Sequence, residues 1–380
     1  MPKSTRRGRN GKPAKPYSDF PLFPHATKRW AKKIRGKLHY FGPWGDPDGA
    51  LQKYLDQKED LYAGRTPRVT GDSLTARDLL NRFLTAKRHQ LDTGEIVSIT
   101  FRDYHDTCKR IGDCFGLNRR VDDLACDDFE MLRASIAKTR GPVSLGNEVQ
   151  RVRVVFNYAY AAGLIDKPMR YGPTFKRPSK KVLRKARNEN GPRMFEADQI
   201  RAMIEGAGPQ LRAMILLGIN CGFGNHDVGM LPQKSLDLNR CWVDYPRPKT
   251  GILRCCPLWP QTVEALQKVI QDRPTSNTDL VFMTKYGQSW AKETSDNPVT
   301  KETRKLLERL GIHRKGLGFY ALRHTFATIG GDARDQVAVD HIMGHARDDM
   351  ASVYRERISD ERLQAVTDHV HMWLFGELTG

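Results

Sequence analysis

Three side chains near the C-terminal end of this 380-residue chain are of the types that break a phosphodiester. Arg323, in the string FYALRHTFAT, offers a planar fork of donors that neutralises a phosphate. His345, closing IMGH, can donate to a non-bridging oxygen, and Tyr354 carries a phenolic oxygen able to attack phosphorus. Tyr320 precedes Arg323 by three residues, Arg323 precedes His345 by 22, and His345 precedes Tyr354 by nine. Each residue is commonplace alone; their joint order and spacing carries the reading. The chemistry requires no metal. His341 and His345 stand four apart, a spacing that can bind zinc on a helix, but the glutamate of an HExxH motif is missing and no third ligand suggests itself.

Together these strings resemble the C-terminal signature of the tyrosine recombinase (phage integrase) family, whose box runs His-x-x-Arg-His, then Leu-Gly-His, then a nucleophilic tyrosine. The resemblance implies that Tyr354 forms a 3′-phosphotyrosyl link, that Arg323 is the second active-site arginine, and that His345 is the box histidine. It also implies that Lys249, in the string PKTG ahead of Pro257 and Leu258, is the hairpin lysine that protonates the leaving 5′ oxygen. Tyr320 stands where the family has its first histidine; it can donate to a phosphate oxygen but cannot add charge near neutral pH. His324 reads as a packed residue outside the chemistry. No cofactor is implied.

One position departs from the pattern. The family's first arginine lies in a motif of the type Gly-hydrophobic-Arg-x-x-Glu, and the aligned string here is CGFGNHDVGML. Gly222 and Phe223 match, Asp227 takes the supporting acidic place and Leu231 closes the motif, but Gly224 occupies the arginine position. By analogy with oxyanion donors, losing one such group costs about a hundredfold to a thousandfold in rate. His226, Arg254 and Arg347 are the candidates to fill the gap. A dinucleotide-binding reading of Gly222 and Gly224 fails because Asp227 sits where the third glycine belongs and a helical pattern precedes.

Charge points to a polyanionic partner. The chain carries a formal +19, and the excess is localised. Residues 1–37 hold twelve Lys or Arg against Asp19 alone, and residues 167–193 hold ten against Glu189. The remainder is close to neutral, so an N-terminal arm and one internal connector carry the basic surface expected to meet double-stranded DNA. Seven cysteines without a CxxC pair fit reduced thiols in the cytoplasm. No apolar run approaches the roughly 20 residues of a membrane span.

The elements needed to position the site follow from periodicity. Residues 28–44 predict a basic hairpin turning at Arg35 and Gly36, followed by a helix over about 48–62. With the flexible residues 1–16, they are similar to the arm-type DNA-binding modules that some integrases carry, which implies such a module over residues 1–70 with Lys32, Lys33, Arg35 and Lys37 as its DNA contacts. Residues 73–166 predict four amphipathic helices that resemble the family's core-binding domain; on the last, Arg151 and Arg153 are candidate groove or phosphate contacts. Residues 167–193, with four prolines, read as a basic linker strapped across a phosphate backbone through residues such as Lys180 and Lys181. Residues 194–380 predict helices around strands at 241–258 and a short strand at LVFM, then almost continuous helix from Ala321. The C-terminal stripe Leu363, Val366, Val370, Trp373 and Leu374 packs either in cis or on a neighbouring protomer.

The fold class is thus mainly α with a small β-sheet: a helical core-binding domain, a tyrosine-recombinase-type catalytic domain and a small N-terminal hairpin–helix arm. The function implied is site-specific recombination or integration of a mobile element, on DNA as a dimer or tetramer. A catalytically impaired DNA-binding relative and a topoisomerase-like strand-resealing enzyme are the alternatives.

Overall fold

The computed structural model describes residues 12–62, 74–273, 278–292, 297–345 and 357–376. The chain is mainly helical, with two three-stranded antiparallel sheets of order β1-β2-β3 and β4-β5-β6. Three separate hydrophobic cores succeed one another along it.

The first core lies between a sheet and one helix. Strand β2 (Arg29–Ile34) pairs with β3 (Lys37–Pro43) across a turn in which Arg35 (φ 47°) and Gly36 (φ 80°) are both left-handed, the two-residue turn whose twist matches that of the flanking strands. A further strand, β1 (Phe23–His25), adds to the open edge of β2, pairing Phe23 with Ala31. The sequence does not announce it, because proline occupies its centre and three residues are too few to show alternation. Trp30, Ile34 and Phe41 bury against Ala50, Tyr54 and Leu61 of helix α1 (Pro47–Tyr62).

Four helices form the second core: α2 (Ala76–Asp92), α3 (Ser98–Phe115), α4 (Cys126–Ala137) and α5 (Pro142–Ala161). Thr75 caps α2 by accepting from the Asp78 N–H at 3.2 Å, and the Asp78 carboxylate accepts in return from the Thr75 N–H at 3.4 Å. Proline at the first position of α5 costs nothing, since that N–H has no helical partner. Phe83, Ile111, Phe129, Val152 and Phe156 fill the centre, and Phe175 joins them from the connector, fully buried. The connector itself is more ordered than its prolines suggest. Ser179 accepts from the Val182 N–H at 3.4 Å and starts a helix, α6 (Lys180–Asn188), whose Lys180, Lys181, Arg184, Lys185 and Arg187 are all exposed.

The third core is built on α8 (Pro209–Asn220), apolar on every side and buried on every side from Ala213 onward. Around it stand α7 (Ala197–Gly206), the five-residue α9 (Asn225–Gly229), α10 (Pro260–Gln271), α11 (Pro298–Arg309), α12 (Tyr320–Gly331), α13 (Gln336–Met343) and α14 (Asp360–Phe375). The sheet beside them comprises β4 (Leu236–Asp237), β5 (Trp242–Asp244) and β6 (Cys255–Pro257). Buried Asn220 ties helix to sheet: its amide donates to the Pro257 carbonyl at 3.0 Å, and its oxygen accepts from the Trp259 N–H at 2.9 Å and the Thr262 hydroxyl at 3.0 Å. Leu363, Val366, Val370 and Leu374 of α14 are fully buried in this same core, so the C-terminal stripe packs in cis. LVFM is not a strand. Leu280 and Met283 each make one isolated bridge, to Pro232 and to Ser289, so no ladder forms. Among the described residues, no helix is long and apolar enough to cross a membrane.

Candidate active site

Helix α12 begins at Tyr320 and places Arg323 within its first turn, facing inward. The guanidinium is only 2% exposed. Nη1 donates to the Gly222 carbonyl at 2.6 Å, and Nη2 donates to the Met343 carbonyl at 2.6 Å and to His345 Nε2 at 2.8 Å. Three of its five N–H donors are thereby fixed, which orients the fork and leaves two for an anion. Burial lowers the Arg323 guanidinium to about 10, assisted by the nearby Arg247 charge and opposed by Asp227; it stays protonated at neutral pH.

The two carbonyls that hold Arg323 exist because of two left-handed glycines. Gly222 (φ 62°) turns the chain out of α8; a Cβ there would come within 2.9 Å of the Phe326 ring. Gly344 (φ 62°) ends α13 in a Schellman motif, its N–H donating to the His341 carbonyl at 3.0 Å while the next N–H, that of His345, donates to the Asp340 carbonyl at 2.8 Å. His345 is therefore placed by a helix cap. Its Nδ1 lies 3.4 Å from the Asp340 carboxylate. Burial and the Arg323 charge lower its pKa, so the ring is neutral at pH 7, with Nε2 accepting from Arg323 and Nδ1–H facing Asp340. To donate to a phosphate oxygen, Nε2 must gain a proton and give up its bond from Arg323.

Asp227 is 8% exposed and doubly engaged: one oxygen accepts from the Gly224 N–H at 2.6 Å and the other from Arg254 Nη2 at 2.8 Å. Arg254 is 2% exposed. Its Nε donates to the Tyr245 carbonyl at 2.7 Å and its guanidinium lies 4.2 Å from the centre of the Phe223 ring, while Nη1 is buried with no partner among the described residues. Of the three residues considered for the gap at Gly224, Arg254 thus sits beside the motif but closed off, His226 is exposed on α9, and Arg347 lies outside the described residues. Tyr354 also lies outside them.

Tyr320 is 48% exposed, with its ring edge-on to His324. A Cβ on Gly224 would stand 3.2 Å from the Tyr320 ring. Lys249 is exposed in the turn between β5 and β6, where the Thr250 and Gly251 N–H groups donate to the Arg247 carbonyl at 3.1 and 2.8 Å; among the described residues no hydrogen bond joins Lys249 to Arg323 or His345. Arg247 is a residue that the sequence motifs pass over. It is half-buried, and its Nη1 donates to the Gly344 carbonyl at 3.2 Å. Its one sequence signal is position: two residues before Lys249 on a hairpin arm, where side chains alternate faces.

The expected DNA contacts divide. Lys33, Arg35 and Lys37 are exposed at the turn end of the hairpin, whereas Lys32 shares the helix-facing side with Trp30 and Ile34 and lies 4.8 Å from the centre of the Tyr54 ring. Arg151 and Arg153 are drawn into the protein instead of standing open to a groove. Arg151 bonds Asp103 and Glu148. Arg153 donates to the Phe175 carbonyl at 3.0 Å and stacks 4.6 Å from the Tyr171 ring, fastening the connector to α5. The sequence offers Arg151 and Arg153 as candidate groove or phosphate contacts, but in the fold these arginines find carboxylates and a carbonyl. Among the described residues no group of His, Cys, Asp and Glu could hold a metal ion.

Residues 193–360 match the model of the phage integrase family, and this stretch holds Asp227, Lys249, Tyr320, Arg323, His345 and Tyr354. No curated protein matches the chain. Among solved structures, the fold is similar to that of a lambda integrase dimer bound to a COC′ core site, at 17% identity and a TM-score of 0.59 over 90% of this chain and 96% of that one. It is similar to the lambda integrase tetramer bound to a Holliday junction (16%, TM-score 0.55, covering 90% and 98%). The Tn1549 transposon integrase in complex with a circular intermediate DNA is a further match (18%, TM-score 0.58, covering 77% and 98%). At such identities the likeness establishes the fold.

Proposed function

We propose that this chain is a site-specific DNA recombinase of the integrase type, working on double-stranded DNA as a dimer or tetramer. The observation that carries the reading is the buried Arg323 fork, fixed by two carbonyls and meeting His345 at 2.8 Å inside the stretch that matches the phage integrase family. The Tyr354 hydroxyl releases its proton to solvent as its oxygen attacks the scissile phosphorus, forming a 3′-phosphotyrosyl bond while the bond to the 5′ oxygen breaks. Lys249 gives that oxygen its proton, and Tyr320 donates to a non-bridging oxygen. Rejoining is the same transesterification reversed, with an incoming 5′ hydroxyl displacing Tyr354. The energy of the broken bond is kept in the covalent link, so the step needs no ATP. Lys33, Arg35 and Lys37 of the arm, and Lys180 and Lys181 at the start of α6, supply phosphate contacts outside the site.

Covalent trapping on a nicked suicide substrate bearing the element's junction sequence tests this. The wild-type chain should give a denaturation-resistant adduct that Tyr354→Phe abolishes. Intact DNA binding with no adduct would favour a binding-only relative, the reading that Gly224 supports. Resealing without exchange between two sites would favour a topoisomerase-like enzyme.

A further inference from the structure

A phosphorane-like transition state spreads charge over its non-bridging oxygens, and Arg323 alone offers two N–H donors to it. Position 224 cannot add another. Gly224 is buried, and even a Cβ there would meet the Asp227 carboxylate and the Tyr320 ring, each at 3.2 Å. Arg254 is sealed beneath the site by Asp227, the Tyr245 carbonyl and the Phe223 ring.

Arg247 is differently placed. It reaches the site from the hairpin and lies flat on Gly344, where a Cβ would come within 3.0 Å of its own Cβ and 3.1 Å of its Cδ. Its guanidinium donates to the Gly344 carbonyl, and Arg323 donates to the carbonyl of Met343, one residue earlier. Two successive carbonyls at the end of α13 thus seat two guanidinium groups as neighbours. Their proximity also shows in the charge that Arg323 feels, where Arg247 is the largest cationic influence. Among the described residues no carboxylate pairs with Arg247, and the backbone bonds from Arg247 N to Ile252 O at 2.8 Å and from Tyr245 N to Arg254 O at 3.1 Å hold its strand in place. Two cations held together without an intervening carboxylate repel each other until an anion joins them.

Resting on the recombinase reading above, we propose that Arg247 is the second phosphate-binding guanidinium of this site, a catalytic residue that takes a non-bridging oxygen of the scissile phosphate in place of the side chain that Gly224 lacks. Arg254 is a positioning residue: its bonds to Asp227 and Tyr245 lock the hairpin onto the motif around Gly224, which must stay small for Tyr320 to lie against it.

The test compares adduct formation by the full chain, Arg247→Ala and Arg247→Lys on two suicide substrates, one with an ordinary scissile phosphate and one with a methylphosphonate there. On the phosphate, Arg247→Ala should form the Tyr354 adduct about a hundredfold to a thousandfold more slowly, the scale of one lost oxyanion donor, and Arg247→Lys should recover part of the loss. On the methylphosphonate, which has no charge to neutralise, Arg247→Ala should approach the wild-type rate; a purely structural role would give no such rescue. Cleavage of the phosphate by Arg247→Ala at the wild-type rate overturns the proposal, as does a deficit that persists undiminished on the methylphosphonate. A wild-type chain that forms no Tyr354-dependent adduct on its target overturns the recombinase reading itself, and the assignment of Arg247 with it.

Discussion

At the scale of single residues, the site is a set of guanidinium groups whose differing surroundings give them different work. Arg323 is buried on carbonyl oxygens, which orient it without cancelling its charge, so that charge stays available to an anion. Arg254 is buried on a carboxylate, which cancels it, so its contribution is to structure. Removing one partner of such a pair strands the other charge in a poorly solvated place. Asp227→Asn should therefore destabilise the fold by about 3–5 kcal/mol, as breaking buried ion pairs does, read as a lower urea midpoint. Replacing both partners, with Asp227→Asn and Arg254→Met together, should recover part of that loss, because no uncompensated charge remains. A double variant no more stable than Asp227→Asn alone would argue against the pair as the origin of the effect.

At the scale of elements, the end of α13 decides the geometry. Its Schellman turn directs the Met343 and Gly344 carbonyls at two arginines and sets His345 immediately after. Only glycine does this easily at position 344: the conformation is left-handed, and a Cβ would meet Arg247. Gly344→Ala should cost about 1–2 kcal/mol from the left-handed backbone alone, with a further loss of adduct formation because Arg247 and His345 shift together. Chemical denaturation and suicide-substrate trapping measure the two effects separately; unchanged stability and cleavage would show that the cap is not what positions the site. The β5–β6 hairpin is the other deciding element, since it carries Arg247, Lys249 and Arg254 on one short ribbon.

For the whole molecule, burial sets a pH dependence. His324, His341, His345 and His371 all have lowered pKa values, in each case chiefly through burial. The unfolded chain binds these protons at the ordinary histidine value of about 6.5, whereas the folded chain binds them only at lower pH. Stability is therefore fully present above that value and is lost as pH falls through it toward the lowered folded values. The urea midpoint should be lower at about pH 5.5 than at about pH 7.5; equal midpoints would show that these rings protonate as readily folded as unfolded. His371 makes the sign concrete: its Nε2 lies 3.2 Å from Gln261 Oε1 and its Nδ1 is buried with no partner among the described residues, so a second proton would meet no acceptor there.

Much of this was legible in the sequence for local reasons. The helices followed from apolar spacing and the arm hairpin from a turn at Arg35 and Gly36, because those signals lie within a few residues of one another, and Arg323 and His345 from the order of two short strings 22 residues apart. Other features depended on contacts between distant segments and could be decided only by tertiary structure. Strand β1 exists because β2 offers it an edge. Arg153 faces inward because Phe175, 22 residues away, presents a carbonyl. Arg254 is silenced by Asp227 across 27 residues, and Arg247 reaches Gly344 across 97. A guanidinium has the same formula in all these places. What it does is set by whether the fold brings it a carboxylate, a carbonyl or an open phosphate site, and that pairing is not written in local sequence.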